Sequence, residues 1–277
     1  LFNNISKKIS KMSTENIQNY QFRIKLLMFL LTIIYIIGTF FLLSKDMMFV
    51  FGLLTIAMVT FIVFYLLIAA AITKGVYMIL TDVLSPERYL KSLDKISSYK
   101  QGGIGSNNYN LRILYESNKA FGLIANGKFF EALDCLENID ASRFNKYQKK
   151  RYYPNYLLLK FMALLLSGQS YHLPDFTSSF EKLGVDINDT TIGNRQLNMI
   201  EAMDSIITNK EVNYYFEAAD AKSRYSSLEN NYFKAKNQLL LGNYKDAKEN
   251  FQKIANENPE LFYVREAKKY LEELDNE

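Results

Sequence analysis

MMFVFGLLTIAMVTFIVFYLLIAAAI, residues 47–72, carries no charged residue across 26 positions. A bilayer's hydrocarbon core is about 30 Å thick and needs roughly 20 apolar helical residues, so this stretch can cross it with some tilt. Just before it, LLMFLLTIIYIIGTFFLL, residues 26–43, is charge-free over 18 positions. Only Ser44, Lys45 and Asp46 separate the two, and so short a link forces an antiparallel hairpin. A secretory signal has an apolar core of about 7–15 residues followed by small residues at a cleavage site. The first stretch is longer than that, and FFLLSKD, residues 40–46, offers no such site.

Basic residues set the expected orientation. Lys7, Lys8, Lys11, Arg23 and Lys25 precede the first span, and Lys74, Arg88, Lys91, Lys95 and Lys100 follow the second, while the tip has only Lys45. By the positive-inside rule both termini and everything after the hairpin face the cytoplasm of a bacterial cytoplasmic membrane. Neither span contains Asp, Glu, Lys, Arg or His, so no ion path or proton relay is expected. No GxxxG motif marks a dimer face; Gly38, Gly52 and Ala69–Ala71 are the places where another membrane helix could approach closely. The hairpin is read as an anchor.

The net charge of +4 divides unevenly. Residues 1–100 hold 11 Lys and Arg against 5 Asp and Glu, while residues 101–277 hold 22 against 24. A nucleic-acid partner needs cations on the domain that meets the phosphates, so none is expected. One cysteine, Cys135, allows no intrachain disulfide and no cysteine-based metal cage. Cys135 is expected to be a small buried apolar side chain, and pairing it with the single His172 lacks any orienting motif. The glycines of KQGGIGSNNYN, residues 100–110, are not followed by the Lys-Ser/Thr of a phosphate-binding loop. No catalytic, cofactor-binding or metal-ligating residue is assigned, and an enzyme is not expected. The chain begins with Leu1, and Met12, opening MSTENIQNYQFRIKLL, is an alternative first residue.

TDVLSPERYLKSLDKISSY, residues 81–99, predicts an amphipathic helix. Ser85 suits its cap, Pro86 its first position and Glu87 the positive end of its dipole. Tyr89, Leu90, Leu93 and Ile96 share one face, which can lie by anionic headgroups or dock on the following domain.

From residue 109 the pattern is helix, turn, helix, and one phrase occurs twice. ANGKFFEALDCLENI (125–139) and LGNYKDAKENFQKI (241–254) align on Gly127/Gly242, Phe129/Tyr244, Ala132/Ala247, Leu136/Phe251 and Ile139/Ile254. A glycine ends one helix, an aromatic opens the next, and a small Ala lets the pair approach closely. Residues 152–168 with 174–184, and 192–209 with 212–224, are read as two intervening hairpins, and ELFYVREAKKYLEELDNE as a charged closing cap. LLLKFMALLL, residues 157–166, is too short to span and is read as a buried helix.

The twice-used phrase resembles the tetratricopeptide repeat family, whose G-x-Y-x-x-A-x-x-x-F…P pattern is met at Gly242, Tyr244, Ala247, Phe251 and Pro259, and partly at Gly127, Phe129 and Ala132. The family's early Trp is replaced by Glu116 and Asn231. The layout is also similar to small two-span membrane proteins of Firmicutes. The resemblance implies an all-α chain: a transmembrane hairpin followed by an α-solenoid. Its parts are a basic N-terminus (1–25), the hairpin (26–72), a juxtamembrane helix with a glycine-rich linker (73–107) and the repeats (108–277). It also implies a groove lined by Ser117, Phe121, Ile124, Tyr232, Lys236 and Leu239, apolar more than charged, which suits a hydrophobic peptide or helix. The expected partners are the lipid bilayer and another, membrane-associated protein. The cluster Lys146, Lys149, Lys150 and Arg151 is read as a solvated helix start, or as a contact with the membrane or an acidic partner. Two other readings stay open: a bacteriocin- or toxin-immunity protein that recognises its target through the hairpin, and an accessory subunit of a secretion or envelope complex.

Overall fold

The two apolar stretches form α2 (Thr14–Leu43) and α3 (Met48–Thr81) of a computed structural model that describes residues 2–43, 47–97, 108–182 and 192–276. The structure is 82% helix, and no strand occurs among the described residues. The turn at residues 44–46 and the glycine-rich segment 100–107 lie outside them. Both helices are long and apolar enough to cross a membrane. They pack side by side: the Tyr35 and Thr55 hydroxyls are 3.3 Å apart, and a β-carbon at Gly38 would lie 3.1 Å from Leu54 Cδ2. Thr32, Thr39, Thr55 and Thr60 return their hydroxyls to the carbonyl four residues earlier on their own helix, which satisfies them without water.

α3 does not stop where the charge-free run does. It continues unbroken to Thr81, and Ala71, Ile72, Gly75, Val76, Ile79 and Leu80 are buried in the helical body. The 26-residue apolar run therefore joins two kinds of surface, its last residues being apolar because they pack against protein. The N-terminal segment is folded rather than a tail. α1 (Phe2–Ser10) lies across α3 at Gly75, where a β-carbon would meet Ile9 Cβ at 2.7 Å and the Ser6 carbonyl at 2.8 Å. The first turns of α2 hold α4 (Pro86–Ile96) through a Thr14–Ser92 hydroxyl pair at 2.9 Å and a Gln21 Nε2 donation to the Ile96 carbonyl at 3.2 Å.

Ser85 does not cap α4 with its own side chain. The Glu260 carboxylate does so from the far end of the chain, accepting from Glu87 N at 3.3 Å and Ser85 Oγ at 3.4 Å. The preceding Leu84 has φ +63°, a left-handed conformation costly for a branched residue. Its side chain is buried and its carbonyl accepts from Asn258 Nδ2 at 2.9 Å, which holds it there.

The body begins with the hairpin α5 (Tyr109–Ala125) and α6 (Phe129–Glu137) and continues with α7 (Lys146–Ser167) and α8 (Leu173–Glu181). α9 (Ile192–Asp204) ends in a wider turn at Ser205–Asn209, and α10 is a single turn, Tyr215–Ala218. The expected return helix over 212–224 is thus mostly irregular. Its backbone is satisfied by buried asparagines of α11: Asn237 Oδ1 accepts from Asn213 N at 3.0 Å, and Asn230 Nδ2 donates to the Ala219 carbonyl at 3.0 Å. α11 (Arg224–Leu240), α12 (Tyr244–Ala255) and α13 (Phe262–Asp275) complete the chain.

The repeated phrase folds alike in both places. Gly127 and Gly242 adopt φ +77° and +74° at helix ends, as the left-handed stop requires. Ala120, Ala132, Ala235 and Ala247 are fully buried at the helix contacts. The ends of the array, however, meet. Arg265 Nη2 donates to the Asn126 carbonyl at 2.7 Å, and Phe262 meets Phe129 edge to face at 5.0 Å. The closing helix is accordingly amphipathic, with Tyr263, Val264 and Ala267 buried.

Candidate functional site

The helices expected to line a groove carry the residues assigned to it, but the chain's own segments cover them. Ser117, Ile124 and Tyr232 are buried. The Phe121 ring stacks on Tyr77 of α3 at 6.0 Å and meets Tyr225 edge-on at 5.3 Å. Tyr89 of α4 is buried with its hydroxyl donating to the Asn118 carbonyl at 3.1 Å, and its ring comes so close to Gly122 that a β-carbon there would lie 2.8 Å away. Lys236 Nζ donates to Tyr270 Oη at 2.6 Å and sits 4.3 Å from that ring's centroid. Leu239 packs on the core's edge. The inner ends of α3 and α4 thus cover α5, while α13 covers Tyr232 and Lys236 of α11.

Where α3, α11 and α13 converge lies a buried carboxyl. Glu229 Oε1 accepts from Tyr263 Oη at 3.1 Å, and burial raises its pKa to about 7 against the opposing pull of Tyr263 and Arg195. Buried Tyr225 beside it finds no partner for its hydroxyl, and burial pushes its pKa well up. This cluster is sealed and belongs to the core.

The accessible feature is a cleft of about 330 Å³ at the junction of hairpin and body. α2 contributes Gln21 and Lys25, α3 Tyr65, Ala69 and Thr73, α4 Leu93, and α5 Leu114 and Asn118. A second hollow of about 490 Å³ shares Thr73, Leu93 and Asn118 and continues along α3 to Tyr77. The walls mix apolar side chains with a cation and neutral hydrogen-bonding groups, a composition suited to an amphiphile. None of these residues stands out in sequence. Lys25 reads there as a flanking charge and Leu114 as one helical residue among many, and they meet only because α4 packs against α2, α3 and α5 alike. In the structure Leu114 stays 41% exposed.

Cys135 is buried and its thiol is pushed up to about 11, chiefly by burial. His172 has a different partner, its Nδ1 lying 3.2 Å from Asp175 at the exposed start of α8. Among the described residues no group of three or more His, Cys, Asp or Glu is placed to hold a metal ion. Lys146, Lys149, Lys150 and Arg151 are exposed in the first two turns of α7, which Asn145 and Gln148 cap reciprocally. Comparison with protein-family models, with curated proteins and with solved structures finds no match to this chain.

Proposed function

We propose that this chain is an integral protein of the bacterial cytoplasmic membrane, in which α2 and α3 cross the bilayer and the helical body sits against its cytoplasmic face as a scaffold for another membrane-associated protein. One observation carries the reading: α3 passes as a single helix from an apolar stretch with no buried residue, covered only along its contact with α2, into the buried core. The exposed part needs lipid around it, and the continuity fixes the body's height and angle above the bilayer. A partner bound there is held at high effective concentration relative to other membrane proteins. Because α3, α4 and α13 cover the residues expected to line a groove, the partner meets the outer surface of the body, or reaches those residues only by displacing these helices.

The test is impermeant maleimide labelling of intact cells with Cys135→Ala as background, cysteine being placed at Lys45 in the turn or at exposed Tyr244 on α12. Lys45→Cys labels in intact cells and Tyr244→Cys only after permeabilisation. The reverse pattern, or release of the protein by alkaline carbonate, overturns the proposal.

A further inference from the structure

The cleft lies at a particular depth. Phe121 of α5 stacks on Tyr77 of α3, Asn118 shares the second hollow with Thr73, and Leu114 shares the cleft with Ala69 and Tyr65. From Phe121 toward its N-terminus α5 therefore lies on the side of α3 that leads to the apolar span. Lys25, on the cleft wall, is the last charged residue before the 18-residue charge-free run of α2. A cation so placed marks the headgroup level, because its ammonium stays in the polar zone while its stem lies along apolar surface.

The start of α5 also fixes the start of α7. Gln148 Nε2 donates to Asn110 Oδ1 at 2.7 Å, and the Arg143 guanidinium sits 5.3 Å from the Tyr109 ring centroid. Lys146, Lys149, Lys150 and Arg151 thus share the membrane-facing end of the body with the cleft. Cations in a helix's first turns oppose its dipole. Among the described residues none of the four forms an ion pair; Arg151 bonds the Tyr147 hydroxyl and covers its ring. The arrangement suits an external anionic surface.

We infer that the cleft binds an anionic phospholipid of the cytoplasmic leaflet, its phosphate at Lys25 and its acyl chain along Tyr65, Ala69 and Leu114, with the α7 cations resting on neighbouring headgroups. The inference rests on the reading that α2 and α3 span the bilayer. Its test uses full-length protein in phosphatidylcholine nanodiscs with spin-labelled phosphatidylglycerol or phosphatidylcholine as probe, the motionally restricted fraction being read by electron paramagnetic resonance. Restricted phosphatidylglycerol exceeds phosphatidylcholine, and Lys25→Gln lowers the excess about fivefold, the value of one cation near a headgroup. Leu114→Asp removes it, and glutamine at all four α7 positions abolishes its salt-sensitive part. Melting temperatures matching the parent show that the variants fold.

Equal restricted fractions for the two lipids overturn the site, as does an excess that Lys25→Gln and Leu114→Asp leave intact. Displacement by inorganic phosphate as effective as by unlabelled phosphatidylglycerol overturns the lipid assignment, since the chain then contributes nothing. Protein that fails to insert removes the anchoring reading and this inference together, whereas inserted protein with no lipid preference removes only the inference.

Discussion

The two halves of α3 are alike in composition and opposite in circumstance. In the outer half Phe49, Leu53 and Val63 are more than half exposed; in the inner half Ile79 and Leu80 are completely buried. Both are apolar helix, and no charge, glycine-proline break or change of period separates them before Thr73 and Lys74. The outer half leaves much of its apolar surface without protein over it, as the proposed passage through hydrocarbon requires. The inner half is matched to protein, where packing is dense and each methyl has fixed neighbours. Amino-acid type fixes that a residue avoids water; only the neighbouring helices fix what replaces the water.

The sharpest way to break this contrast is to shorten one leucine in each half. Leu80→Ala leaves a cavity in the core and is expected to destabilise by about 2–5 kcal/mol. Leu53→Ala, 53% exposed, is expected to change stability by less than about 0.5 kcal/mol. Thermal unfolding of the full chain in detergent micelles, followed by helical circular dichroism, measures both. Equal losses at the two positions would mean that the outer half is packed against protein too.

The same contrast explains what could be read from the chain. Helix content, the paired spans and the glycine-stopped hairpins at Gly127 and Gly242 follow from local rules, and local rules are legible in 277 letters. The point where α3 passes from exposed to buried is not legible, because Ala71 and Ile72 continue the charge-free run without a break. Nor is the covering of Phe121 legible, since Tyr77 meets it across 44 positions. The remote cap that Glu260 gives α4 and the Arg265 contact that joins the two ends of the array are long-range for the same reason. The cleft was hidden most completely: its walls come from four helices, and each wall residue has an ordinary role within its own helix.

Glu229 extends the comparison to pH, since it faces Tyr77 on the inner half and has no counterpart among the charge-free residues of the outer one. Its carboxyl has a pKa of about 7 in the folded chain against 4.5 for the ordinary group. The unfolded chain therefore releases this proton first, and between those values the folded state binds more protons. Stability contributed by this group is present below about pH 4.5, falls as pH rises toward 7, and is level above; the shift corresponds to about 3 kcal/mol. Glu229→Gln keeps an acceptor for Tyr263 and removes the titration. The expected outcome is a parent whose unfolding temperature drops between about pH 4.5 and pH 7 and a variant whose profile is flatter by that amount. Parallel profiles would mean that Glu229 is solvated or paired with Arg195 more strongly than its burial indicates.

The smallest expected difference is the most direct comparison, because it adds one methyl group to each half. At Gly75 a β-carbon would lie 2.7 Å from Ile9 and 2.8 Å from the Ser6 carbonyl, and backbone at such a distance does not yield without moving α1. At Gly52 nothing lies within 4 Å. Gly75→Ala should therefore cost about 1–3 kcal/mol through overpacking, partly offset by the better helix propensity of alanine. Gly52→Ala retains the propensity gain alone and should be neutral or up to about 1 kcal/mol more stable. The local readout is trypsin, since Lys7, Lys8 and Lys11 lie on or beside α1. Cleavage there should quicken in Gly75→Ala while the rest of the chain stays protected, because the lifted helix exposes its own backbone before the body opens. Unchanged cleavage in Gly75→Ala would place α1 away from α3 and return the N-terminal segment to a free basic tail, leaving α3's inner half one fewer neighbour to distinguish it from the outer.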